Sequence, residues 1–172
     1  MSNSRDQLNQ GLQELKDLED LVQLKTQGSQ GPTAGIAAAR RAAVLLLNAH
    51  FEAYLEDVLQ EALTALNAGL DASTLRRDFT TPRPRNIDRL FVLLGIDKIS
   101  HQPSWQKAAN KTVRGALEEL QDTRNAIAHG EAGVRATKQD VARFGGYVRG
   151  FADAVDELIA DRIEQLTGRR PW

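Results

Sequence analysis

An arginine, an asparagine and a histidine stand within six residues of one another in Arg124-Asn125-Ala126-Ile127-Ala128-His129, with Gly130 directly behind them. A guanidinium holds a phosphate or carboxylate through its planar fork of donors. An imidazole exchanges protons near neutral pH. Together the three residue types suit phosphodiester chemistry. In RNA cleavage a base removes the 2′-hydroxyl proton, an acid protonates the departing 5′-oxygen, and fixed positive charge stabilises the developing phosphorane. His129 fits the base or the acid, Arg124 the stabilising charge, and Asn125 an orienting role. The scheme needs no metal and no cofactor, and the sequence shows no metal-ligand cluster. The same residues also have a purely structural reading. An Arg-Asn pair at a helix end makes ion pairs and capping bonds, and a histidine in a last turn is favoured by the helix dipole.

Spacing adds a condition. Asn125 and His129 are four residues apart and share a helix face. Arg124 and His129 are five apart, about 140° around a regular helix. They meet on one small ligand only if the last turn frays or tightens, or if two subunits each supply one copy. A twofold axis would also supply two proton-transfer groups where one protomer has one.

The elements that must position these residues read as helices throughout. The helix carrying them spans about Asn110 to His129, with Val113, Ala116, Leu117, Leu120 and Ile127 inward and Gly130 as its stop. A first helix, about Arg5 to Gln27, carries a narrow stripe of Leu8, Leu12, Leu15, Leu18, Leu21, Val22 and Leu24. So narrow a stripe, within residues 1–30, predicts packing against a partner subunit as well as the home domain.

A long second helix runs from Thr33, as N-cap, to about Asn67, with Gly69 beyond it. Its stripe includes Val44, Leu47, Phe51, Tyr54, Leu55 and Val58, and Val44 to Leu47 should be its most buried part. Asp71 to Arg85 reads as irregular, with Pro82 and Pro84 as breakers, and is basic through Arg76, Arg77, Arg83 and Arg85. Asn86 should cap a short helix over Ile87–Leu94 that ends at Gly95, and Ser104 a turn holding Trp105. Thr137 to Asp140 resembles a capping box ahead of a last helix to about Leu166, with Gly168 ending it and a frayed tail over 168–172. The reading is all-α: one domain over 1–172, a bundle of four main helices plus one or two short ones.

Composition narrows the classes. The chain has 172 residues, 41% hydrophobic and 26% charged, which suits one globular domain with a real core. Its formal net charge is −1, so nucleic-acid contact must come from a local patch. With no cysteine there are no disulfides or thiolate metal sites, which fits a cytoplasmic location. The first residues lack the apolar core of a signal peptide, and no apolar run approaches the ~20 residues of a membrane span.

The Arg124–His129 segment resembles the R-x4-6-H motif of the HEPN superfamily, with the usual polar residue after the arginine. Leu45-Leu46-Leu47-Asn48-Ala49-His50-Phe51-Glu52-Ala53-Tyr54-Leu55 resembles the early helix of that family, most of all in its RiboL-PSP-associated branch. The resemblance covers about residues 36 to 165. It implies a homodimeric helical bundle with two motifs facing a shared cleft. It also implies metal-independent endoribonuclease activity, often in toxin–antitoxin or antiphage systems, with an antitoxin protein as partner. By motif position Arg124, Asn125 and His129 carry over. Glu52 carries over as the acidic residue bracing the motif arginine, against the alternative of a solvated glutamate. Some members only bind RNA or a partner protein, so a non-catalytic helical module is the alternative function. The arginines at 76, 77, 83 and 85 could guide RNA or be solvated surface. His50 reads as an interior or interface residue, His101 as exposed, and Trp105 as a core or interface residue rather than a base-stacking one.

Overall fold

The first helix starts with its free N–H groups already spoken for. In the computed structural model, which describes residues 1–26, 34–67, 79, 81–105 and 108–172, α1 spans Asn3–Thr26. The backbone N–H groups of Asn3 and Ser4 donate to the Glu61 carboxylate at 3.1 and 2.7 Å, and that of Ser2 donates to Asp156 at 3.1 Å. Two other helices therefore supply the acceptors that a helix N-terminus lacks. Arg5, only 1% exposed, completes the anchor through Nε to Asp153 at 2.8 Å and Nη1 to Asn9 at 2.6 Å.

The other elements are α2 (Ala34–Ala65), α3 (Pro84–Phe91), two 3-10 turns (Val92–Leu94 and Ile99–His101), α4 (Asn110–Ala128) and α5 (Lys138–Thr167). Among the described residues this is an all-α bundle of four main helices and one short one. Among the described residues the single extended feature is an isolated bridge between Trp105 and Ala108, where a Ser104-capped turn was expected. The expected Thr33 cap, the Gly69 stop and most of the irregular basic stretch lie outside the described residues.

Helix α2 runs through the centre and meets α1, α4 and α5. Toward α5 the seam is apolar: Phe51 meets Phe151 edge to face with centroids 5.8 Å apart, and Tyr54 donates its hydroxyl to the Ala152 carbonyl at 2.9 Å. Toward α1, Gly11 lets the helices close up, since a Cβ there would stand 2.5 Å from the His50 ring. His50 is thus an interface residue inside the protomer. Glu19 and Arg40 bridge the same pair at 2.7 Å.

Four local expectations are corrected. Val44 and Leu47 are fully buried, but Leu46 between them is 47% exposed, because one turn of helix cannot point four successive side chains inward. The short helix begins at Pro84 rather than Ile87: proline, lacking an N–H, suits the first turn, and Arg83 takes the N-cap position without a side-chain bond. Asn86 instead donates to the Thr81 carbonyl at 3.0 Å. The tail does not fray: Arg170 pairs with Glu157, Asp161 and Glu164, and Trp172 packs on the core.

The capping box at Thr137 and Asp140 is present in full, and its hydrogen bonds hold the Asp140 carboxyl below its usual range. Gly145 and Gly146 lie within α5, where each costs about 1 kcal/mol relative to alanine. Gly150 is different: the Trp105 ring lies 2.8 Å from where its Cβ would be, which confirms the packing role of that indole.

Candidate functional site

Arg124 leaves α4 on the side that faces α2, and the seam it enters is polar. Asn48 and Glu52 stand one turn apart on α2; Gln121, Arg124 and Asn125 stand within about one turn on α4. Gln121 donates its amide to Asn48 Oδ1, and both are buried. One turn further, Arg124 Nη1 donates to Asn125 Oδ1 at 3.0 Å, so the motif asparagine holds the motif arginine directly. Glu52 is half-buried across from them. Desolvation chiefly, and the neighbouring Glu56 next, push its carboxyl above the usual range, while the positive charge of Arg124 draws it back. The Arg124 field therefore reaches the carboxylate that the sequence put opposite it.

His129 is placed by backbone rather than by side chains. Its N–H donates to the Asn125 carbonyl at 2.9 Å, that of Gly130 to Ile127 at 3.1 Å, and that of Glu131 to Ala126 at 3.0 Å. With Gly130 at φ +68°, these bonds make a Schellman cap. The last turn of α4 neither frays nor tightens. Arg124 and His129 thus diverge by about 140° around the axis, Arg124 toward α2 and His129, exposed, at the helix end. Within one protomer a regular helix does not bring them to a common ligand.

The remaining candidates separate. Arg83 pairs with Glu118 and Asp122 of α4, which hold its guanidinium more firmly protonated than usual and neutralise its charge locally. It is therefore a brace between α3 and α4. Arg85 is exposed, and Arg76 and Arg77 lie outside the described residues. His101 is exposed, as expected, in a 3-10 turn with Arg114 Nη1 3.4 Å from Nδ1 and Asp88 3.8 Å from Nε2. Among the described residues no three His, Asp or Glu side chains converge to hold a metal ion. No described helix is long and apolar enough to cross a membrane.

The amide pair Asn48–Gln121 was not singled out from the sequence. The signal was there: Asn48 falls between Val44 and Phe51 and Gln121 follows Leu117 by four, so each occupies an apolar stripe. Gln121 is 0% exposed, and its Oε1 accepts no hydrogen bond from the described residues. A buried polar pair is costly unless satisfied, so its presence one turn from Glu52 and Arg124 fixes the register of α2 against α4 at the place where the motif sits.

A family model described as RiboL-PSP-HEPN matches residues 73–161, from before α3 to near the end of α5. The match contains the whole of α4 and its Arg124–His129 segment but begins after α2, so Glu52 is placed by geometry alone. No curated protein and no solved structure matches the chain.

Proposed function

The chain belongs to the RiboL-PSP-HEPN family, and on that footing we propose that it is a metal-independent endoribonuclease whose site is completed by a second copy. The observation carrying this reading is the setting of Arg124: tied to Asn125 at 3.0 Å and electrostatically coupled to Glu52, on a helix whose capped end presents His129. A second copy supplies what the divergence of Arg124 and His129 takes away. The face of α2 next to Glu52 offers a surface for it: Ala42, Leu46, Ala49 and Ala53 are exposed there in a run of apolar side chains.

One His129 removes the 2′-hydroxyl proton, and the freed O2′ attacks phosphorus. The other His129 gives a proton to the departing 5′-oxygen. The products are a 2′,3′-cyclic phosphate and a 5′-hydroxyl. Arg124 binds the non-bridging oxygens and stabilises their extra charge in the transition state. Asn125 and Glu52 position that guanidinium. Substrates are single-stranded or loop RNA, and the setting is a cytoplasmic toxin–antitoxin or antiphage system in which an antitoxin protein restrains the nuclease.

Total RNA incubated with the purified protein should acquire ends bearing 2′,3′-cyclic phosphate. His129→Ala and Arg124→Ala should each abolish them with helical content unchanged, and EDTA should not. Cleavage that survives both substitutions overturns the site; strict dependence on a divalent ion overturns the mechanism. A second reading, a helical module that dimerises and binds RNA or a protein without cutting, is favoured by the divergence of Arg124 and His129 within one protomer. RNA binding at low salt with no cyclic-phosphate ends would establish it instead.

A further inference from the structure

Arg114, in the second turn of α4, carries a guanidinium that the protomer leaves only partly used. Its Nη1 lies 3.4 Å from Nδ1 of His101, and its Nε is shut off from solvent with no acceptor among the described residues. Arg83, Arg143 and Arg170 each grip two or more carboxylates. Arg114 pairs with none among the described residues. A guanidinium only donates, so the His101 nitrogen facing it is the bare one of a neutral ring, and the ring hydrogen points to Asp88, 3.8 Å away. Asp88 lies beyond the ring from Arg114 and is already engaged, accepting the Ser100 N–H at 2.8 Å. It does not neutralise the arginine.

We propose that Arg114 binds a backbone phosphate of the RNA strand that is cut at the motif. For the course of that strand the inference rests on the nuclease reading. Nε and a terminal nitrogen of a guanidinium present one edge that matches two phosphate oxygens. The seat on His101 is long for a hydrogen bond and leaves Nε idle, so a phosphate that draws the group outward satisfies both donors. Lys111, one turn earlier on α4 and exposed, adds a second cation. Ala109 gives the start of α4 no side-chain cap, so the positive end of the helix dipole favours an anion in the same place.

The placement joins this site to the motif. Arg114 and Asn125 are eleven residues apart on α4. About 16 Å of helix therefore separates them, with only about 20° of rotation. One strand laid along that face passes both. Between them stand the partly exposed carboxylates of Glu118 and Asp122, which would repel it if bare. Arg83 bridges the two, so the brace between α3 and α4 also screens the path. With a net charge of −1 the chain needs such a local patch to hold RNA.

Fluorescence anisotropy on the full chain carrying His129→Ala, which keeps the RNA whole, tests it. The probes are an unstructured RNA of about twelve nucleotides and a dinucleotide, whose single internal phosphate cannot reach both places. Adding Arg114→Gln should weaken binding of the longer RNA about tenfold and take about 0.7 from the slope of log affinity against log salt. The advantage of the longer RNA over the dinucleotide should shrink by the same factor. Arg114→Lys, which keeps the charge without the fork, should restore the slope and part of the affinity. Affinity and slope that Arg114→Gln leaves as they were, as a site for free phosphate would, overturn the proposal. So does a loss equal for both probes, or a lysine variant no better than the glutamine one. The wild-type chain, assayed alongside for 2′,3′-cyclic phosphate ends, separates the two readings. Cleavage with binding indifferent to Arg114 removes only the phosphate site. Binding that depends on Arg114 with no cyclic-phosphate ends removes only the nuclease. No binding of the longer RNA at low salt, and no cleavage, removes both.

Discussion

Helix α2 has two seams of opposite character. Against α5 it packs aromatic on aromatic, Phe51 on Phe151, and the Tyr54 hydroxyl is satisfied by the Ala152 carbonyl at 2.9 Å. Burial raises the Tyr54 phenol well above its usual range, so it stays a neutral donor. Against α4 the same helix buries an amide pair with one oxygen left over, and beside it a carboxylate whose ionisation burial disfavours. The first seam stabilises. The second costs desolvation and is retained beside the motif arginine. Strain of this kind collects where particular side chains must be held in place.

Substitutions can break that contrast. The largest effect on stability belongs to the apolar seam: Phe151→Ala should lower unfolding free energy by about 3–5 kcal/mol in denaturant titration, with cleavage per folded molecule unchanged. Arg124→Ala should show the opposite profile, a loss of cleavage of roughly 100-fold or more with little shift in the midpoint. If both substitutions moved stability and cleavage together, the two seams would not be functionally distinct.

Smaller effects sharpen the picture. Gln121→Leu alone leaves the Asn48 amide buried without its partner and should cost about 1–3 kcal/mol, whereas Asn48→Leu combined with Gln121→Leu should be nearly neutral or stabilising. Reduced cleavage in that stable double variant would mark the pair as positioning residues; full cleavage would make them structural only. Glu52→Gln should give the smallest change. The folded chain holds the Glu52 proton to higher pH than the unfolded chain does, so wild-type stability falls as pH rises through that window. The glutamine variant lacks this loss. It should melt with wild type at a pH below the ordinary carboxylate range and above it at neutral pH. An equal difference at both pH values would contradict the role given to burial.

Much of the fold was legible because helices announce themselves by periodicity and by their ends. The Thr137–Asp140 box and the Gly130 and Gly168 stops appear where residue type places them, since caps are local chemistry. Leu46 and the buried Asn48 and Gln121 were not legible: which side of a long helix is covered depends on neighbours far along the chain. Arg83 illustrates the same point. In sequence it belongs to a basic run, and in space two α4 carboxylates neutralise it.

The order of residues by itself determined that this chain is helical, where its last two long helices stop, and that a guanidinium, a carboxamide and an imidazole share one helix end. Those are properties of a few neighbouring residues and of hydrogen bonds spanning three to five positions. Only the tertiary structure decided that Arg124 faces Glu52 while His129 lies exposed at the helix end, and that Asn48 and Gln121 are buried against each other. Both depend on how helices distant in sequence are rotated against each other, and the packing of the whole core sets that rotation.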